Sequence, residues 1–389
     1  MAQRGIWRRK SLWAGLTVAL LAVALFFGAF PRLVAWRLHQ QAGGAPPSMN
    51  AQSQSLHSKL LVVDLHAASL LWSRDLLARG GWGHVDLPRL TDGNVALQVF
   101  AAVTTMPWQR NGLASGVAQV DLMTPLVMAQ LWPWRTWGSR LQRVLYQSDK
   151  LKVFVRRAGA GLIAIRTKAD MDRLLLARSQ AQANGLNPPI GVMLSLAGPR
   201  VLEGDLANLD LLFDAGFRMA VPPAGTGGDG LTSSGREWLR RMEEKGMMVD
   251  VANAPEPTMR EVLANAHSPV VASHAGLRGT CDNPRNLSDD QARAIAATGG
   301  VIGIGYWRDA VCDGSIDAIV KAIRYAVALV GVDHVALGSN FDGGARAPMD
   351  AARLAHLTHG LTAAGFSDDD IARLAGGNAW RVLRSVLPP

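Results

Sequence analysis

The polar residues that punctuate this sequence are of types that bind metal ions and move protons, and they recur where apolar runs end. Val62-Val63-Asp64-Leu65-His66 sets a carboxylate and an imidazole two positions apart. In a strand such a pair points to one side and can share a site. Further along come Ser195-Leu196-Ala197-Gly198, Asp250-Val251-Ala252-Asn253, Ser273-His274, Arg285-Asn286 and Gly338-Ser339-Asn340-Phe341-Asp342-Gly343. Two imidazoles, one from the first strand and one from a late strand, suit metal ligation across the mouth of a barrel. Taken alone, Asp64 and His66 read more plainly as a capping carboxylate and a satisfied core histidine.

The elements that must carry these residues follow from the apolar pattern. Strand-like runs cover Leu60–His66, Val95–Val103, Gly161–Arg166, Gly191–Leu196, Phe217–Val221, Met247–Val251, Pro269–His274, Val301–Trp307 and His334–Gly338. Helical patterns separate many of them, at Leu206–Ala215, Gly235–Lys245, Thr258–Ala266, Ser288–Ala297 and Ser315–Val330. Strands alternating with helices call for a parallel α/β architecture, and near-continuous apolar strands call for both faces to be covered. Eight or nine such repeats fit a (β/α)8 TIM-type barrel with insertions. One insertion, at about 104–157, breaks the alternation and holds Trp108, Trp132, Trp134 and Trp137. It reads first as a helical excursion packed on the barrel, and second as a lid or a membrane-contacting surface.

Ahead of the barrel, Leu12 to Phe30 contains no charged residue. A helix of that length spans roughly the ~30 Å hydrocarbon core of a bilayer. Four bases precede it and two follow closely, which favours a cytoplasmic N-terminus and a barrel outside, periplasmic or extracellular. The chain thus divides into a basic N-terminus (1–11), a transmembrane signal anchor (12–30), for which a cleaved signal peptide is the competing reading, a tether (31–58) and a barrel (59–389). The net charge is +9, yet seven bases and no acid precede Asp64, leaving only +2 for the rest. That basicity serves topology and anionic lipid, so nucleic acid is not an expected partner. Cys281 and Cys312 read as a structural disulfide rather than as ligands if the barrel lies outside the cytoplasm. Spacing alone does not show that their Cα atoms approach. His84, His334, His356 and His359 read as surface or packing residues, and His39, His57 and His267 as solvated.

From about Lys59 to Leu387 the chain resembles the membrane (renal) dipeptidase family of zinc metallopeptidases. The resemblance rests on Asp64-Leu65-His66, Gly83-His84-Val85-Asp86-Leu87-Pro88-Arg89-Leu90, Ser273-His274, Arg285-Asn286-Leu287, Gly299-Gly300-Val301-Ile302-Gly303 and Gly338-Ser339 followed by Phe341-Asp342-Gly343. It implies a barrel holding two zinc ions bridged by a carboxylate and a water, with an Arg receiving the carboxylate of a dipeptide. Family members often dimerise, so a homodimer is a further expectation. Against that pattern the sequence keeps His66, His274 and the carboxylate-binding Arg285. It carries Ala68 where the first motif has a second Asp, and Ala197 where a Leu-Glu-Gly triplet has the bridging Glu. Asn253 stands where an Asp-x-x-His motif has its His, and Asn340 where an Asp follows Gly-Ser. A further family His near Pro223–Gly225 has no counterpart.

A zinc ion needs about four donors, and a zinc pair needs anionic ligands to offset its charge. The expectation is therefore an emptied site, holding no ion or one weakly held between His66 and His274. That describes a membrane-anchored pseudoenzyme of the family that binds a small carboxylate-bearing peptide or a protein partner. The alternative is an active metal-dependent dipeptidase with a weakened site, or one rebuilt from Asp64, His66, His274 and Asp342 with help from Asp229 or Asp282; a third reading is a scaffold whose Trp-rich insertion and anchor matter while the pocket is idle.

Overall fold

The computed structural model describes residues 2–39, 49–105, 123–198, 201–223, 230–344 and 346–389, with side chains from Leu12 onward. Pro107, Trp108, Ala224, Gly225 and Asp229 lie outside the described residues.

Among the described residues nine strands form, each where an apolar run predicts one: β1 (Val62–Ala67), β2 (Val95–Val103), β3 (Leu162–Ala164), β4 (Ile190–Ala197), β5 (Phe217–Ala220), β6 (Met248–Asp250), β7 (Val270–Ala275), β8 (Val301–Ile304) and β9 (Val335–Leu337). All pairings are parallel. β1 pairs with both β2 and β9, and β2 pairs with β4 along Leu97↔Gly191 to Val103↔Ala197, so eight strands close a barrel. β3 joins the ring as an extra strand on the first residues of β4. The expected helices stand between the strands at Asn208–Ala215, Ser233–Glu244, Glu256–Asn265, Asp289–Ala297 and Ile316–Val330. Local chemistry sets their starts: Thr232, Ser288 and Ser315 each accept a backbone N–H of the first turn through the side chain.

Apolar side chains of the strands and helices form one large buried cluster. A second joins Val63, Leu65, Val99, Met193 and Val271 to Trp380 and Leu383 of the C-terminal helix Asn378–Val386. That helix can reach β1 because the turn before it ends in glycine: a Cβ at Gly376 would sit 1.8 Å from the Leu61 carbonyl oxygen. The disulfide forms between Cys281 and Cys312, with Cα atoms 5.2 Å apart, and ties the loop after β7 to the segment after β8. It closes a loop of 31 residues. Replacing both cysteines by alanine is expected to cost about 2–4 kcal/mol, read from the denaturant midpoint. An unmoved midpoint would contradict that.

The N-terminal region departs from the expected anchor-plus-tether division. The apolar helix does not stop at Phe30; its span runs Leu12–Leu38. Its last turns dock on the protein, where Ala35 is buried among Leu71, Trp72, Met123 and Trp132. Residues 51–59 also belong to a helix, not to a tether, and pack on the helix Leu354–Ala363. His57, expected in solvent, is buried there, its ring nitrogens 2.8 Å from Thr358 Oγ1 and 3.0 Å from the Gly93 carbonyl. His39 is likewise buried rather than solvated. A short polar segment gives no apolar period of its own, so only the partner surface reveals its burial.

Candidate functional site

The C-terminal ends of β1, β6, β7 and β9 deliver the polar residues to one mouth. His66 from β1 and His274 from β7 face each other with ring centroids 3.8 Å apart. Both are almost wholly buried. Burial disfavours a charged ring: it pushes His66 down to about 3 and, with the nearby His66 and Arg285, holds His274 well below the ordinary histidine value.

His274 sits within an unbroken chain of hydrogen bonds. Arg285, a donor only, gives an N–H to Asn253 Oδ1 at 2.5 Å. That fixes the amide orientation, so Asn253 Nδ2 is the donor to His274 Nε2 at 2.9 Å. His274 Nδ1 must then carry the proton and donate to Ser273 Oγ at 2.9 Å, while Ser273 donates to Asp250 Oδ2 at 2.6 Å. Asp250 also accepts the backbone N–H groups of Ala252 and Ser273, both at 2.9 Å. Burial pushes its carboxyl up to about 6 against those bonds. His66 Nδ1 lies 3.5 Å from the same Ser273 hydroxyl. Asn253 takes φ +60°, a left-handed conformation that asparagine tolerates better than most residues.

Asp64 does not face the imidazoles as a free donor. Its carboxylate accepts Ser339 N and Ser339 Oγ, each at 2.7 Å, and Gln98 Nε2 at 2.7 Å. The pairing Asp64↔Leu337 brings β1 alongside β9 and makes this bond set local. The end of β9 also comes close to β7: a Cβ at Gly338 would lie 2.0 Å from the Ser273 carbonyl oxygen. Burial raises the Asp64 carboxyl to about 6.

Asp342 is also spoken for. It accepts Ser69 Oγ at 2.6 Å and the His84 backbone N–H at 2.7 Å, and it pairs with Arg74. The rebuilt set of Asp64, His66, His274 and Asp342 therefore does not assemble in these conformations. Asp282 is exposed and stands in no ion pair with the mouth residues. Among the described residues, no group of three or more His, Cys, Asp or Glu side chains lies close enough to hold a metal ion. Ala68 is fully buried at the start of the turn after β1, and Ala197 ends β4. Asn340, half-buried, has φ +55°.

Sequence reasoning missed three contributors. Ser273 was read only as the neighbour of His274, yet it joins both imidazoles to Asp250. Tyr306, fully buried, lies close enough to Asp64 that burial and that carboxylate push its hydroxyl well above the ordinary value. Trp307 stands 5.8 Å from the His274 ring and folds across Gly305, where a Cβ would meet its ring at 2.0 Å. The only signal for either aromatic was its place just after β8. His84, read as surface or packing, is fully buried and bonded to Asp342.

A closed parallel barrel with paired imidazoles at its C-terminal mouth defines the class. The chain belongs to the membrane dipeptidase family (peptidase family M19), which it matches over residues 50–387. Among curated relatives, an uncharacterized protein in the pqqA 5′ region of Klebsiella pneumoniae is 34% identical over 199 residues, 49% of this chain and 73% of that protein. The dipeptidase aclJ of Aspergillus oryzae is 24% identical over 421 residues, covering 98% of this chain and 90% of that one. A metallopeptidase from Rhodobacter sphaeroides, solved with a phosphinate mimic of the dipeptide L-Ala-D-Ala, superposes with a TM-score of 0.68 at 22% identity. It spans 84% of this chain and 99% of its own. That last likeness speaks for the fold.

Proposed function

We propose that this chain is a membrane-anchored, extracytoplasmic pseudoenzyme of the dipeptidase family, binding a small carboxylate-bearing peptide at the barrel mouth without hydrolysing it. The observation that carries the reading is the Arg285–Asn253–His274 chain. The lone pair of His274 Nε2 that would face a metal accepts an amide N–H instead. The donors present do not fit the family's zinc pair. Two imidazoles remain, while the positions the resemblance assigns to three carboxylates and a third imidazole hold Ala68, Ala197, Asn340 and Asn253. The Cys281–Cys312 disulfide and the N-terminal helix support an oxidising compartment outside the cytoplasm.

Arg285 is exposed at the mouth, and its guanidinium can take a peptide carboxylate while staying beside Asn253. Calorimetric titration of the full chain in detergent with L-alanyl-L-alanine tests this. The expected result is binding without amine release, weakened roughly tenfold or more in Arg285→Ala, since a hydrogen bond to a charged group is worth about 1.5–3 kcal/mol. Equal affinity in both proteins would remove Arg285 from the account.

A second reading, an active dipeptidase with a weakened zinc site, draws on the 3.8 Å ring contact. Rotation of Asn253 away from His274 would free two imidazoles for one ion. Zinc-dependent hydrolysis of the same dipeptide, abolished by a chelator, would favour it.

A further inference from the structure

The apolar helix leaves the protein at the end of the barrel that bears the site. His39 ends the helix and packs edge-on against Trp72, which follows β1, at 4.5 Å, and its Nε2 lies 3.3 Å from the Asp342 carbonyl, after β9. About 20 residues cross the hydrocarbon of a bilayer, so a span beginning at Leu12 leaves it near Pro31. The helix Met123–Ala129 packs against Leu25–Ala29 and Phe30–Leu38, at the depth of that exit. Beside it, in Leu131–Trp137, Leu131 is 74% and Trp134 80% exposed, and Trp137 is partly so. Leu33 and Trp36 of the anchor are 60% and 61% exposed. Large aromatic and aliphatic groups so open to water are unusual unless something covers them.

The charges agree on what does. No acid occurs between Asp121 and Asp149. Arg135, Arg32 and Arg37 are exposed around these apolar groups. Glu203, which does reach the segment, is taken up by Ser139 and the first backbone N–H groups of the helix Arg140–Ala158. Tryptophan beside arginine, with an apolar body and a polar edge, is the composition that settles among lipid headgroups.

We propose that Leu131, Trp134 and Trp137, continued by Leu33 and Trp36, lie in the headgroup layer of the leaflet through which the anchor leaves the bilayer. This is a second lipid contact, resting on the reading of Leu12–Leu38 as a membrane anchor. Two contacts fix the tilt of the barrel where one helix would let it swing. The mouth is thereby held at the membrane surface, where it meets ligands that are at, or tethered to, the bilayer.

The test places a nitroxide label at Leu131→Cys and, separately, at Trp134→Cys in the full chain, with the native disulfide intact. The proteins are reconstituted in vesicles of phosphatidylethanolamine and phosphatidylglycerol. Leu186→Cys, exposed on the loop leading into the opposite end of β4, is the water reference, and Leu21→Cys, within the anchor, is the lipid reference. The expected result is loss of collisions with a water-soluble nickel chelate and gain of collisions with oxygen at 131 and 134 relative to 186. Nickel accessibility at 131 and 134 equal to that at 186, with Leu21 in lipid, overturns the proposal. Labels shielded from both reagents would mean that protein, such as a second copy, covers the patch, and would overturn it too. Leu21 open to nickel would instead overturn the anchor reading itself.

Discussion

Asp342→Ala is expected to destabilise the full chain by about 3–5 kcal/mol, because it takes the nearest carboxylate from the buried Arg74 guanidinium and leaves it only Asp86, 3.9 Å away, and two backbone carbonyls. Asp342 is wholly buried at the head of the loop after β9. Its carboxylate meets Arg74, the Ser69 hydroxyl and the His84 backbone N–H. Its carbonyl accepts the Trp72 indole N–H at 2.9 Å. Burial would raise this carboxyl, but Arg74, the His84 hydrogen bond and the nearby His39 hold it well below its ordinary 3.8. A depressed carboxyl contributes stability that is full above the ordinary value and lost as pH falls through the folded one. The gap between native and Asp342→Ala proteins is therefore expected at neutral pH, narrowing below 3.8. Denaturant melts at pH 7 and pH 3 in detergent check both parts. A difference below about 1 kcal/mol at neutral pH, the range of exposed ion pairs, would show the cluster to be slack.

The second large effect concerns the donors. Adding Ala68→Asp, Ala197→Glu, Asn253→His and Asn340→Asp together is expected to give a chain that holds about two zinc ions, where the native chain is expected to hold little, with dipeptide hydrolysis appearing alongside. The scaffold that would orient them is in place. Ser339 and Gln98 pin Asp64, Ser273 and Asp250 pin His274, and the approach of Gly338 to β7 sets the distance between two of the strands. Ala68 is fully buried, so the added carboxylate there carries the greatest folding cost, and Asn253→His alone is the milder variant. That variant breaks the Arg285–Asn253–His274 chain and is expected to raise zinc retention on its own while leaving the thermal midpoint near native.

Much of the barrel was legible because parallel strands covered on both faces are short, nearly continuous apolar runs, and this chain ends them with polar residues. All nine strands appear where Leu, Val, Ile and Met cluster. The candidate site positions rest on a different signal: the flanking motifs resemble a family, so each departure from its pattern could be located in order. What stayed hidden depends on contacts between residues far apart in the chain. His39 meets Asp342, 303 residues later, and Asp64 meets Ser339, 275 residues later. Neither periodicity nor propensity encodes such a meeting. The docking of 51–59 was hidden in the same way, since that helix is polar in sequence and is held by His57 and Ser53 bonds rather than by an apolar stripe. Ser273 escaped notice because a serine before a histidine is ordinary until both of its neighbours are seen.

We propose that the family's metal chemistry has been exchanged here for a hydrogen-bonded mouth. Zinc content of the full native chain tests it most directly, measured after purification with zinc present and exhaustive desalting, beside the fourfold restored chain. The expected result is near-zero zinc in the native protein and about two ions in the restored one, each still showing a cooperative thermal transition. Stoichiometric zinc in the native protein would contradict it. The ligands would then have been drawn from side chains that face elsewhere in this structure, and the active dipeptidase reading would take its place.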